Sequence, residues 1–306
     1  MNKDLREMEH FDPQKFIELV ARLENNAELS IETIENDTFP LLKLKKNKFD
    51  YLFSLPFSLY TSVNSSNKIE QLVAFLVQKR SDSLIINFPP FTELTVCKAQ
   101  ELASKYKCHL SINTCHIVNT DRSLEEVIST FNSTRKKHIK RYQKAEQLKV
   151  FQTLEPYYFD EYYKLYLDSV NRWENGNIGY SKELIANLHL VPGIRMWVAE
   201  LEGKVISAMI CIYHQDHVFD WLAASIINDD LKKLYAPVAV QFEVIRHAVE
   251  HGLKYVNMGA SVNLLGVSDF KDSWGASEHE TYTFNKTSTF FKVSKKIVTN
   301  IKKLLS

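Results

Sequence analysis

Glycine is scarce, with eight in 306 residues. A chain this poor in glycine has little material for a loop whose bare backbone cradles phosphate, so any nucleotide would have to be held by side chains and helix ends. Cysteine is scarcer, at four: Cys97, Cys108, Cys115 and Cys211. No two make a C-x-x-C pair and no histidines stand at zinc-finger spacing, so neither a disulfide framework nor a metal site is expected. Long apolar runs are missing too. The longest clean one, VISAMICIY over 205–213, is far short of a membrane span. The opening MNKDLREMEH alternates charge with apolar residues and does not read as a secretory h-region. Charge of one sign is also lacking. A net charge of +1 sets up no global field for DNA or membrane. These absences point to a reduced, soluble, cytoplasmic protein, with peripheral contact at the inner face of the membrane left open.

What is present is ordinary for a packed globular chain, 45% hydrophobic and 25% charged. The length suggests two domains. DPQKFIELVARLEN (12–25) reads as a helix opened by Asp12 and Pro13. Residues 41–55 read as two strands around a Lys-Asn turn, 67–80 as a helix, 83–90 as a buried strand stopped by two prolines, 95–106 as a helix and 108–118 as an alternating strand. The first part, 1–120, is therefore expected to be an α/β domain of its own.

At residue 121 the texture changes. Residues 121–148 read as one continuous helix with a capping box of Ser123 and Glu126. A strand at 149–154, helices at 156–173 and 181–190, and a three-strand meander (IRMWVAEL, KVISAMICIYH, HVFDWLAAS) follow. A helix over 237–252 runs from Pro237 to Gly252, then come a strand YVNMG, a turn-rich connection LLGVSDFKDSWGA over 264–276, a strand at HETYTFNK and a last helix over 288–305. This order, β-α-α-β-β-β-α-β-loop-β, is an α+β arrangement.

The order is similar to that of the GNAT acyltransferases. STRKKHIKRYQKAEQLKV, YAPVAVQFEVIRHAVEHGLKYVNMGAS and GVSDFKDSWGA, in that sequence, resemble the FemAB-like branch of that superfamily. The resemblance implies two tandem GNAT-like domains, 1–120 and 121–306, with largely antiparallel sheets flanked by helices. It implies transfer of an acyl group to an amine, with acyl-CoA as co-substrate and, in this branch, a cell-surface sugar or peptide precursor as acceptor. Some members take the acyl group from aminoacyl-tRNA. Two features depart from the family pattern. The segment NDDLKKLYAPVAV (228–240) has no glycine where CoA-using relatives carry a glycine-rich pyrophosphate loop, and no segment has room for the long helical hairpin of the tRNA-dependent members. Asn257 stands where many relatives have aspartate.

Acyl transfer needs a base for the amine proton, a donor for the oxyanion and a channel that aligns the two substrates. By family position Lys271 lines the acceptor side. Phe270 and Trp274 beside it would anchor the segment and lower the local dielectric. The structural alternative is a lysine snorkelling over an apolar loop. Asp220, a lone carboxylate in an apolar strand, is either the base or half of an ion pair, with Trp221 next to it. Tyr235 is either the acid for a leaving thiolate or a packing residue. Lys232 and Lys233, with the backbone at Val238 and Ala239, are the candidates for the CoA phosphates. Arg135 falls on the apolar arc of a helix whose opposite arc carries Lys136, Lys137, Lys140, Arg141 and Lys144. A buried arginine needs a partner, either a structural carboxylate or a substrate phosphate. His138 reads as structural. Arg172, Trp173, Asn257 and Ser261 complete the candidate substrate contacts, with a helix cap as the alternative for Arg172. The 288–305 helix, with lysines on one face and no acid after Glu280, either docks on its own domain or lies on an anionic membrane, which would suit a lipid-linked acceptor. Three functions are thus kept: acyl-CoA-dependent N-acyl transfer, aminoacyl-tRNA-dependent transfer, and a GNAT-like binding module without catalysis.

Overall fold

A computed structural model describes residues 9–63, 65–172, 178–228, 233–261 and 265–292. Trp173 and Lys232 lie outside these residues, as does most of the helix expected over 288–305.

The chain divides into two compact units. Unit 1 is Met1–Asp12 with Thr114–His279, and unit 2 is Pro13–Asn113 with Glu280–Ser306. The internal boundary falls between Asn113 and Thr114, and each unit also takes in a distant terminal segment. Hydrogen bonding gives the reason. Phe11 N–H donates to the Tyr213 carbonyl at 2.7 Å, tying the N-terminal segment to unit 1. The last strand returns to unit 2, where Thr283 sits opposite Asn87.

Unit 2 begins with helix α1 (Pro13–Leu23), which packs on strands β1 (Ala27–Ile34) and β2 (Asp37–Lys46). Strand β3 (Phe49–Phe53), helix α2 (Ser66–Leu76), strand β4 (Ser83–Asn87) and helix α3 (Val96–Lys105) follow, and β5 (His109–Asn119) leads into unit 1. The hairpin expected around a Lys-Asn turn is present, but its two turn residues are Asn47 and Lys48, whose φ values are both positive at 53° and 68°. That is the twist a two-residue hairpin requires. Strand β1 was not anticipated. Its alternation of half-buried and exposed residues is too shallow to stand out in the sequence. The core of unit 2 is formed by Leu52, Ile69, Leu72, Leu84, Ile86, Leu102 and Phe284.

Unit 1 carries α4 (Leu124–Thr130), α5 (Ser133–Tyr142), β6 (Leu148–Thr153), α6 (Pro156–Arg172), α7 (Lys182–Asn187), β7 (Ile194–Leu201), β8 (Lys204–Tyr213), β9 (His217–Ser225), α8 (Ala236–Glu250), β10 (Tyr255–Ala260), α9 (Leu265–Asp272) and β11 (Ser277–Thr287), whose later residues belong to unit 2. Its strands run in the order β5-β10-β9-β8-β7-β6. Pairings are antiparallel except β9 with β10. Helices α6 and α8 both pack on β8, and nine of its ten residues are buried. A strand covered on both faces reads as a continuous apolar run, which accounts for VISAMICIY.

Two expectations need correction. The helix expected over 121–148 is broken in two. Ser123 and Glu126 form the capping box on α4, but Phe131 turns extended and the Asn132 side chain accepts the Arg135 N–H at 2.8 Å, starting α5 afresh. An asparagine that caps competes with helix continuation. The 264–276 segment, expected to be a loop, contains α9, so Lys271 sits in a last helical turn. Its Gly, Ser and Asp residues weaken the helical signal, and tertiary packing overrides it.

Candidate active site

The only parallel pairing in the sheet of unit 1, among the described residues, is short. Tyr255, Val256 and Asn257 face His217, Val218 and Phe219, and there the ladder ends. Both strands are distorted at this point. On β9, Cys211 of β8 is opposite Asp220 while Ile210 is opposite Leu222, so Trp221 is an extra residue. On β10, the partners of Asn257 and Ala260 on β5 are Ile117 and Cys115, so two residues, Met258 and Gly259, oppose one. Bulges of this kind bend strands apart and re-aim side chains. The sequence N-x-G supports the second one. The Asn257 side-chain oxygen accepts the Gly259 N–H at 2.9 Å, and Gly259 has φ +72°, which favours a residue without a Cβ.

Parting the strands leaves backbone groups without ladder partners, and they must be satisfied elsewhere. Lys271 does this on β10. Its Nζ donates to the Gly259 carbonyl at 2.9 Å and the Ala260 carbonyl at 2.8 Å. An ammonium has three donors, so one remains. The residue is 7% exposed. Burial, which opposes the charged form, lowers its pKa to about 8, and attraction to Asp220 and to the Cys115 sulfur opposes the fall.

Asp220 follows Phe219, the last residue of β9 that pairs with β10. It is only partly exposed, and burial raises its pKa from the ordinary 3.8 to about 7. A hydrogen bond of 2.6 Å from Gln241 Nε2 on α8 and the charge of Lys271 hold back that rise. The Cys211 thiol lies 3.8 Å from the other carboxylate oxygen. Gln241 is 1% exposed. A carboxyl and an ammonium whose pKa values are both shifted toward neutrality can each exchange a proton with a substrate.

Helix α9 is held from two sides. On one, His116 of β5, 2% exposed, directs Nε2 at the Ser268 hydroxyl (3.2 Å) and at an Asp272 oxygen (3.3 Å). On the other, Arg135 of α5 reaches across to the residues just beyond α9. Its Nε and Nη2 donate to the Ser273 hydroxyl at 3.0 and 2.7 Å, and the Asn132 N–H donates to the Ser273 carbonyl at 3.0 Å. The guanidinium lies 4.5 Å from the Phe270 ring centre and 4.7 Å from that of Trp274, within cation–π range. No carboxylate is among its partners in the described residues: a hydroxyl and two rings hold Arg135. Burial lowers its pKa to about 10, which still leaves it charged at neutral pH. Gly275 closes the motif. At φ +66°, a Cβ there would come within 2.3 Å of Thr130 Oγ1.

The other expected contacts spread over the unit. Arg172, at the end of α6, donates to the Ser169 hydroxyl (2.9 Å) and the Ser225 carbonyl (3.2 Å), fastening the end of β9. Trp221 meets Tyr180 edge-on at 5.6 Å, and Tyr180 meets Tyr166 at 5.8 Å, so three aromatics follow one another beside the bulge. The Ser261 hydroxyl, just past the carbonyls that Lys271 holds, is buried with no partner among the described residues.

The start of α8 differs from a phosphate cradle. Tyr235 is the residue before the helix, in the left-handed region at φ 53°. Its ring stacks on His138 at 3.9 Å and its hydroxyl accepts from Arg141 at 2.6 Å. Lys233 is exposed nearby in sequence. Pro237 has no N–H to offer, and the Ala239 N–H donates to the Tyr235 carbonyl at 2.9 Å, which removes it from the phosphate role expected of it. The Val238 side chain faces the core of the unit.

Sequence reasoning missed Gln241, Cys115, Cys211, His116 and Tyr180. Only Gln241 carried a readable signal, a lone amide within the apolar run of α8. Among the described residues no group of three or more His, Cys, Asp or Glu could hold a metal ion, and no helix is long and apolar enough to cross a membrane.

Comparison with known proteins bears on the fold. Residues 131–272 match the family model described as "Acetyltransferase (GNAT) domain". Among solved structures, the fold is similar to that of FemX, at TM-score 0.64 and 10% identity over 88% of this chain and 90% of that one. It is also similar to L-PGS from Bacillus licheniformis (TM-score 0.57, 11% identity, 95% and 92% covered). A third is the C-terminal domain of a putative lysylphosphatidylglycerol synthetase from Agrobacterium fabrum (0.55, 10% identity, 94% and 97% covered). A search of curated proteins found no match. Residues 131–272 thus match the acetyltransferase (GNAT) domain model, in a mixed α/β chain whose fold is similar to that of FemX.

Proposed function

We propose that the protein transfers an acyl group from a thioester donor, acyl-CoA, to an amine of a cell-surface sugar or peptide precursor, and that the chemistry takes place where β9 and β10 part. One observation carries this reading: Asp220 and Lys271 occupy that gap with pKa values of about 7 and 8. The ionised Asp220 takes the proton as the amine nitrogen attacks the thioester carbonyl carbon. The remaining N–H of Lys271 stabilises the oxyanion. When the C–S bond breaks, the thiolate, with an ordinary pKa near 8.5, takes a proton from Lys271 or from Tyr235. Trp221 and Asn257 sit at the bulges that shape the gap. Arg135, Phe270 and Trp274 hold the helix that carries Lys271, Ser261 follows the carbonyls that Lys271 holds, and Arg172 fastens the far end of β9.

A second reading uses an aminoacyl ester in place of acyl-CoA. It is favoured by the glycine-free entry to α8, by Pro237 and by the committed Ala239 amide, which leave few backbone donors for a pyrophosphate. Melting of the purified protein with acetyl-CoA, longer acyl-CoAs and free CoA decides between them. Ligand at a hundred times its dissociation constant adds about 2.7 kcal/mol of stability. A clear shift followed by thiol release with an amine acceptor supports the first reading. No shift with any thioester refutes it and moves the search to aminoacyl donors. Binding without turnover, unchanged in Lys271→Ala, would leave a non-catalytic module.

A further inference from the structure

Unit 2 contains two cavities of different character. The larger, about 540 Å³, is lined by charged side chains of both signs, with Lys79 paired to Glu32 at 2.7 Å and Lys43 to Glu28 at 3.7 Å. The smaller, about 410 Å³, has no ionisable side chain in its lining, although a quarter of the chain is charged. Its volume is in the range of small-molecule sites. With no counter-charge in its walls, it offers nothing to select a phosphate, a carboxylate or an ammonium.

We propose that this smaller cavity is a carbohydrate-binding site. Its polar lining consists of hydroxyls and carboxamides, among them Asn87, Ser111, Asn113 and Thr283. Each of these groups both donates and accepts, as a sugar hydroxyl does. Two of them are already fixed. Asn87 and Thr283 are cross-strand partners, the Thr283 hydroxyl donates to the Asn87 oxygen at 2.9 Å, and the Asn87 amide donates to the Leu59 carbonyl at 3.1 Å. The side chains of Ser111 and Asn113 make no hydrogen bond to another described residue, so their donors and acceptors remain for a ligand. Phe53 and Phe57 supply the aromatic surface on which the apolar C–H face of a pyranose packs.

The Phe57 wall is held at a cost. Phe57 and Ser58 are consecutive non-glycine residues at φ 59° and 60°, each in a region that disfavours a Cβ by about 1–2 kcal/mol. Strain of this sort persists where surrounding contacts enforce it. Here the Phe16 ring of α1 meets the Phe57 ring edge-on at 6.3 Å. The site lies wholly in unit 2 and does not depend on acyl transfer.

Saturation-transfer NMR on the whole protein tests this, with N-acetylglucosamine, glucose and mannose at millimolar concentration, and with uridine and an alanine dipeptide as neutral probes of other classes. The expected result is transfer to the ring C–H protons of at least one sugar, weakened about tenfold or more in Ser111→Ala/Asn113→Ala as two hydrogen bonds are lost. Those two substitutions should leave the melting temperature unchanged, and Phe57→Ala should weaken binding independently. No transfer to any sugar, transfer unaltered in both variants, or stronger transfer to uridine or the dipeptide would overturn the proposal. Lys271→Ala should bind sugar as the parent does, so loss of acyl transfer and loss of this site are read separately.

Discussion

Replacing Asp220 with asparagine should stabilise the protein while abolishing its activity, and the stabilisation should depend on pH. The folded protein holds the Asp220 proton up to about pH 7, whereas the unfolded chain releases it near 3.8. Between those values the folded state binds more protons than the unfolded state, so this carboxyl lowers stability as pH rises and its full cost is reached above about pH 7. A shift from 3.8 to about 7 corresponds to about 4 kcal/mol at 1.36 kcal/mol per unit. Relaxation around the site reduces this, leaving about 2 kcal/mol in favour of Asp220→Asn at pH 8; the attraction to Lys271 is already contained in the raised pKa. The amide oxygen of the new residue still accepts from Gln241. For a chain of this size that is a rise in Tm of roughly 4 °C. The assay is thermal melting of both proteins from pH 4 to pH 8.5. The curves should converge toward pH 4, separate as pH rises to 7 and run parallel above it. A gap that does not vary with pH, or a variant that melts lower throughout, would refute the placement of a desolvated carboxyl in the gap.

The same pair sets the pH dependence of turnover: kcat/KM should rise through about pH 7 as Asp220 ionises and fall above about pH 8 as Lys271 loses its proton. A titration without the acid limb would remove Asp220 as base. Gln241→Leu takes away the donor that holds the Asp220 pKa down, so the acid limb should move to higher pH with the alkaline limb in place. Lys271→Met should lower turnover by at least a hundredfold and destabilise by about 1–3 kcal/mol, because the Gly259 and Ala260 carbonyls lose their donor. Urea midpoints and initial rates check both. Gly275→Ala should cost at least about 2 kcal/mol in urea unfolding, from φ +66° and the overlap with Thr130; a near-neutral result would mean that α4 gives way easily.

Much of the architecture could be read in advance because it is local. The meander of β7, β8 and β9, the capping box at Ser123 and the Asn47-Lys48 hairpin each depend on a few adjacent residues whose alternation or turn chemistry is visible in the text. The helix break at Asn132 was legible in principle, since asparagine is a strong cap, but the lysine-rich stretch beyond it hid the new start. Helix α9 was not legible. It forms because His116, Arg135 and the Trp274 ring fix it from strands and helices more than a hundred residues earlier in the chain for the first two. The return of β11 to β4 was equally invisible, as strand partners carry no address in a single sequence.

Residue types and local spacing determined that Lys271 and Asp220 stood out, the first by its aromatic neighbours and the second as a lone acid in an apolar strand. Tertiary structure alone decided what they are. It brought the two charges into one gap, sent Gln241 to the carboxylate, and set Arg135 against Ser273 and two aromatic rings. The physical reason is that a pKa and a hydrogen bond belong to an environment, and that environment is assembled from β5, β8, β9, β10, α5, α8 and α9, which only the folded chain brings together.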